Sequence, residues 1–246
     1  MFRFFSKMRY KLAAENRVAK YLRYAVGEIL LVVIGILIAL QINNWNSNRI
    51  DRLKEREYLE NFLEELKRDS LFLNVYWEKD YPEKVKGLEL ARKYVKYGVE
   101  IDDTVAFFSS IGKGGKLSRA AVFEESSTYK DIISTGNLKL IRNKHLQLQI
   151  IDYYTSISTT ITYMDNLRGE YATFVNSLIP YNPQERYEPD WKDYERGLQK
   201  MKSDEFLSLS NQELTYAYSL NRRMDRVNTR LIPLLGLIEA ELSTKK

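Results

Sequence analysis

Tyr24–Ile42 reads YAVGEILLVVIGILIALQI, with an unbroken apolar run from Ile29 to Leu40. Nineteen residues wound as a helix rise about 28 Å, close to the ~30 Å hydrocarbon core of a bilayer. The interior of the segment holds no Pro, and its only charge is Glu28, about one turn from the entry end. At that depth a carboxylate reaches headgroup water, stays protonated, or pairs with Arg23 or Tyr24; the sequence leaves all three open. Gln41, Asn43, Asn44 and Trp45 form a polar exit, with Trp45 as the interface anchor. Residues 24–42 therefore read as a transmembrane helix.

The charge distribution gives this helix a direction. The chain carries +5 overall, yet residues 1–23 hold seven Lys/Arg against Glu15 alone. From residue 29 onward the 218 residues hold 31 of each sign. A nucleic-acid-binding domain needs its positive excess on a folded surface, so a nucleic-acid partner is not expected. The excess instead follows the positive-inside rule, because Asn43–Arg68 has six of each sign. A basic cytoplasmic tail (1–23) is expected, with everything after the helix outside the membrane. Phe2, Phe4 and Phe5 among the tail's cations suit an anionic lipid surface.

A cleaved signal peptide is the competing reading, since a 12-residue core fits an h-region of 7–15 residues and Ala39 can stand at the −1 position. Against it, Leu37 at −3 is a poor small residue, no Gly, Pro or Ser break precedes the site, and the apolar stretch extends beyond an h-region at both ends. An uncleaved signal anchor is the expectation. Gly27, Leu31, Gly35 and Ala39 recur every fourth residue, and Gly35-xxx-Ala39 is a small-xxx-small pair that permits close helix contact. This face is the candidate for self-association into a homo-oligomer.

The stretch RYAVGEILLVVIGILIALQINNWN, Arg23 to Asn46, with the basic segment before it, resembles the opening of a family of bacterial membrane proteins known only as a domain of unknown function. The run from Thr128 to Ile141, TYKDIISTGNLKLI, is similar to a second signature of that family. The resemblance covers the chain from its start to about residue 155. It implies an inner-membrane anchor with a helical domain outside it, and no activity, cofactor or catalytic residue.

Composition points to helices after the anchor as well. Average usage of about 7% Gly and 5% Pro would give about 17 and 12, and the chain has 11 and 5. A polar collar (43–48) precedes an extracytoplasmic domain (49–246). Ile50, Leu53, Leu59, Phe62, Leu63, Leu66 and Leu73 line one helical face, and no Pro or Gly interrupts residues 36–81, so this helix can continue straight from the membrane. Pro82 is expected to open a second helix closed by Gly98, and Asp103 to cap a short one. The turn Gly112-Lys-Gly-Gly115 breaks the chain. A helix over 126–135 ends at Gly136, with Ser127 as its N-cap. Leu138–Leu178 reads as one long helical stretch, and residues 181–190 as a linker. Asp190 starts another helix, and Ser210-Asn-Gln-Glu213 reads as a capping box. Met224, Val227, Leu231, Leu234 and Ile238 form a bundle seam, which Pro233 should kink near Thr229–Arg230. The fold class is all-α: one N-terminal transmembrane helix followed by an extracytoplasmic helical bundle.

Little of this composition suits enzyme chemistry. With no Cys and only His145, thiolate sites and His-cluster metal sites are excluded. Ser127-Thr-Tyr-Lys130 has the S-x-x-K spacing of penicillin-recognising enzymes, but no companion motif or strand accompanies it, and Ser127 reads better as a cap. Gly112-Lys-Gly-Gly-Lys116 lacks the first Gly and the Ser/Thr of a phosphate loop, so a surface turn is expected. His145, with Gln149 and Asp152 on its face, reads as a surface residue. No metal or cofactor is expected. The unusual feature is aromatic: Tyr76, Trp77 and Tyr81 cluster, as do Tyr153, Tyr154, Tyr181, Tyr187, Trp191 and Tyr194. Such side chains serve either a core boundary or a partner surface. The reading favoured is a non-enzymatic single-pass inner-membrane protein whose periplasmic bundle is an interaction or assembly module for a periplasmic or inner-membrane protein partner. The alternative is a periplasmic small-molecule sensor that signals through a partner.

Overall fold

A computed structural model describes residues 18–116, 123–167, 169–178 and 189–244. Two compact units divide the chain at Arg56/Glu57. Among the described residues all regular structure is helical, in eight α-helices, a π-helical turn and a 3-10 turn.

The first unit is built from α1 (Val18–Phe72), which begins there and ends in the second. Helix is the natural state of this sequence in lipid, where every backbone N–H and C=O must be satisfied within the segment. The collar residues 43–48 are themselves helical. One helix among the described residues is long and apolar enough to cross a membrane, with mean hydropathy 2.6 in its most apolar window and none of that window buried.

The second unit holds the core. α8 (Asp204–Thr244) is its spine, about 60 Å long at 1.5 Å per residue. α2 (Glu78–Tyr97) packs along the first half of α8, joined to it by Tyr81 donating to the carbonyl of Ala217 and by Trp77 Nε1 donating to Asn221 at 3.2 Å. α5 (Lys144–Asp165) packs along the second half. Met224, Val227, Leu231, Leu234 and Ile238 are fully buried at this seam. α3 (Thr104–Lys113) lies against α2 so closely that a Cβ at Gly87 would stand 2.0 Å from the carbonyl oxygen of Ser110. α6 (Glu170–Asn176) and α7 (Trp191–Met201) close the near end, where Phe206 stacks on Tyr171 and Phe174. The C-terminal turns of α1 hold α4 (Ser127–Ser134) through Tyr58, which donates to Asp131.

Several expected caps are in place. Asp103 accepts from the Ala106 N–H, Asp190 and Asp193 form a reciprocal capping box, and Gly98 and Gly136 take φ of 64° and 68°. Other boundaries differ. Pro82 lies inside α2 and does not open it; a π turn, Leu73–Trp77, precedes the helix, with Glu78 N–H donating to Leu73 O. That wide turn lets Leu73, Trp77 and Tyr81 all face inward at a spacing of four. The stretch 138–178 is three pieces: a 3-10 turn (Asn137–Leu140), α5 and α6. Asn143 breaks it by capping α5, accepting from Leu146 N–H at 3.2 Å. Ser126, not Ser127, is the N-cap of α4, accepting from Tyr129 N–H at 2.8 Å. Ser210 and Glu213 are not a capping box: both lie within α8, where Ser210 bonds to Phe206 O and Glu213 pairs with Lys84. Ser203 caps that helix instead, through Phe206 N–H. Pro233 lies within α8, the helix runs on past it, and its seam residues are buried on both sides of it. Residues 181–188 of the expected linker lie outside the described residues.

Candidate functional site

The expected membrane face comes out open. Gly27, Leu31, Gly35 and Ala39 are all exposed, Leu31 by 64%. A Cβ added at Gly27 or Gly35 would meet nothing within 4 Å, so nothing in the described chain uses this face. Trp45 is 66% exposed.

The chemical candidates resolve as structural. Ser127 Oγ points to Glu65 at 3.4 Å and Lys130 pairs with Glu125, so the S-x-x-K residues do not form a nucleophile and its base. Gly112–Lys116 is the end of α3 and a turn, with Lys113 paired to Glu83 at 3.0 Å. His145 is exposed near the start of α5, and Asp152 pairs with Arg230 rather than with it. Among the described residues no group of three or more His, Asp or Glu could hold a metal ion. The aromatic residues divide: Trp77, Tyr81, Tyr153 and Tyr154 are core, whereas Trp191 is 66% exposed. Tyr181, Tyr187 and the side chain of Tyr76 lie outside the described set.

Three polar constellations were not legible in the sequence. The first is a fully buried ion pair: Lys84 Nζ lies 2.5 Å from Glu213 and 2.6 Å from the carbonyl of Gly114. Burial pulls the Lys84 ammonium below the usual lysine value, and the Glu213 carboxylate opposes that. This pair ties α2, α8 and the end of α3 at one point.

The second is a carboxylate cage at the base of α4. Glu65 accepts from Ser126 Oγ, from Thr128 N–H at 3.2 Å and Oγ1 at 2.7 Å, and from Tyr154 OH at 3.1 Å. The carboxylate thus sits at the positive end of α4, where an anion is stabilised. One turn on, Asp69 accepts from Tyr153 OH at 2.6 Å. Burial is the main cause that lifts the Asp69 carboxyl from 3.8 to about 6; the Tyr153 bond works against it and Glu65 adds to it. An open cavity of about 310 Å³ lies beside these groups, lined by Arg68, Glu124 and Glu125 among others.

The third is a basic groove between α5 and α8 of about 150 Å³. Arg223, Arg226 and Arg230 line it from one helix and Asp152, Thr155, Ser156, Thr159 and Thr160 from the other.

A family model matches residues 28–178, well over half of the chain. The chain belongs to DUF6090, a family of unknown function. The DUF6090 region starts at Glu28 and takes in the apolar run, α2 to α6 and the Glu65 cage, while α7 and the whole of α8 with its three arginines lie beyond it. No curated protein and no solved structure matches the chain.

Proposed function

We propose that this DUF6090 member is a non-enzymatic, single-pass protein of the bacterial inner membrane. Residues 1–23 are its cytoplasmic tail, 24–42 its anchor, and the domain from 49 onward a periplasmic helical module for interaction or assembly. The observation that carries the reading is the helix face from Ile29 to Leu40. Every residue there is exposed, and so long an apolar surface calls for lipid or another helix. Support for a docking role comes from the second unit, where Tyr97, Val99 and Val105 are exposed within nine residues of chain and Trp191 is exposed at the start of α7. Aromatic anchors of this kind are enriched at protein interfaces.

Cross-linking the full chain in its native cells, followed by mass spectrometry of captured proteins, tests the role, with a chain lacking residues 1–46 as control. The module predicts an abundant partner, or a second copy, whose capture is lost in the control. Capture of nothing in either case removes the reading.

A further inference from the structure

The basic groove of the second unit has a composition that its own chain does not balance. Arg223, Arg226 and Arg230 stand on one face of α8, at the i, i+3, i+7 spacing that lines residues up along a helix. Asp152 is the one carboxylate in the lining, and Arg230 Nε already holds it at 2.8 Å. Three cations against one anion leave a formal +2 around a cavity of about 150 Å³.

The two remaining arginines have no carboxylate partner among the described residues. Arg226 is exposed, and its Nε reaches only the backbone oxygen of Arg222, at 3.3 Å. Arg223 is held with its guanidinium over the Tyr163 ring, 4.3 Å from the centroid. Its Nε is buried and makes no hydrogen bond. A buried donor left without an acceptor is rare in folded chains, and here it belongs to a charged group beside a cavity. The facing wall offers hydroxyls. Ser156 and Thr159 already donate to backbone carbonyls at 2.6 and 3.0 Å, while Thr155 is exposed and makes no such bond, so its hydroxyl is the one that can donate to a ligand.

We propose that the groove between α5 and α8, walled by Arg223, Arg226, Arg230, Thr155, Ser156 and Thr159, binds a compact tetrahedral oxyanion of the phosphate class. The planar guanidinium fork matches the spacing of two oxygens on one phosphorus and keeps its charge at any physiological pH. A dianion cancels the +2 and gives acceptors to the guanidinium N–H groups of the three arginines that line the groove. The volume is below the roughly 300–1,000 Å³ of sites for drug-sized ligands, which suits a single phosphate group, free or at the end of a larger molecule. The site is independent of the docking role above, since a chain that binds no phosphate can still hold a partner.

Calorimetric titration of inorganic phosphate into the full chain in an uncharged detergent tests this, at low salt with chloride matched for ionic strength. The expected result is one phosphate per chain, weakened tenfold or more by Arg226→Gln and lost in Arg226→Glu. Arg226 is exposed, so both variants keep their helical circular dichroism. Thr155→Val, which leaves every charge in place, is expected to weaken binding a few-fold. Repeating the titration in phosphatidylcholine nanodiscs with and without phosphatidic acid separates two sources of the same group. A lipid headgroup that reaches the groove blocks free phosphate in the acid-containing discs, and a site for free phosphate binds equally in both. No saturable heat beyond chloride, or binding that survives Arg226→Glu, overturns the proposal; the second result would assign the phosphate to the basic tail.

Discussion

Asp69 shows how one side chain ties the fold to pH. It lies in the second unit, far along the sequence from residues 24–42, and burial holds its carboxyl near 6 in spite of the hydrogen bond from Tyr153. A folded-state value above the unfolded one means the folded chain binds the extra proton. The stability it contributes is complete below pH 3.8 and is lost as pH rises through about 6. The rise from 3.8 to about 6 corresponds to roughly 3 kcal/mol at most, and partial solvent contact reduces this to on the order of 1–3. Asp69→Asn should therefore match the native chain below pH 3.8 and exceed it in stability at about pH 7.5, as measured by urea denaturation in mild detergent. Equal differences at both pH values would show that Asp69 titrates normally. Lys84 is the harsher case, because its partner Glu213 is buried with it. Removing one member of such a pair strands the other, at a cost of about 3–5 kcal/mol. Lys84→Met should lose that much in the same assay, and Lys84→Met with Glu213→Leu should recover most of it.

At the scale of elements, local chemistry was readable and long-range chemistry was not. Asp103, Asp190, Gly98 and Gly136 act within three or four residues of themselves, so the sequence displays both the residue and its task. Glu65 caps α4 from more than sixty residues away, and no local pattern announces that. The same holds for Ser210-Asn-Gln-Glu213, whose spacing mimics a cap; Glu213 is instead taken up by Lys84 on another helix. Pro82 misled because a proline usually opens a helix or breaks one, whereas α2 already starts at Glu78 and carries Pro82 in its second turn. The periodicity of 138–178 is genuine in its middle, but Asn143 and Gly169 divide it into separate helices. The basic groove needs two helices brought together, so it too lay beyond the sequence. The one described helix long and apolar enough to cross a membrane was legible throughout, since its signal is contiguous. Its small-residue face also gives an unusually clean experiment. A Cβ at Gly35 meets nothing within 4 Å and residues 31–40 around it are exposed, so Gly35→Leu projects into open space and its effect reports another molecule. If the anchor self-associates through Gly35 and Ala39, this substitution should abolish the cross-linked dimer in detergent while leaving thermal unfolding of the second unit unchanged. An undiminished dimer would move the contact elsewhere.

On the scale of the whole molecule, the question is which side of the membrane each unit occupies, and the chain is well suited to answering it. It has no cysteine, so a single introduced thiol is the only one a maleimide can find. Ser243 is exposed at the far end of α8 and bonds only to a carbonyl of its own helix, which makes Ser243→Cys a silent reporter. With seven Lys/Arg before the apolar run and balanced charge after it, insertion should leave the tail in the cytoplasm. A membrane-impermeant maleimide should then label Ser243→Cys in cells whose inner membrane is intact. Orientation by charge also predicts how to spoil it. Changing Arg17, Lys20 and Arg23 to Glu takes three cations from the entry side and adds three anions, leaving the exit side as it was. The labelled fraction should fall, because the bias that chose one direction has been removed while the apolar segment still inserts. Labelling that appears only after the inner membrane is permeabilised would place the second unit inside. That outcome would invert the topology and send the search for a partner to the cytoplasm.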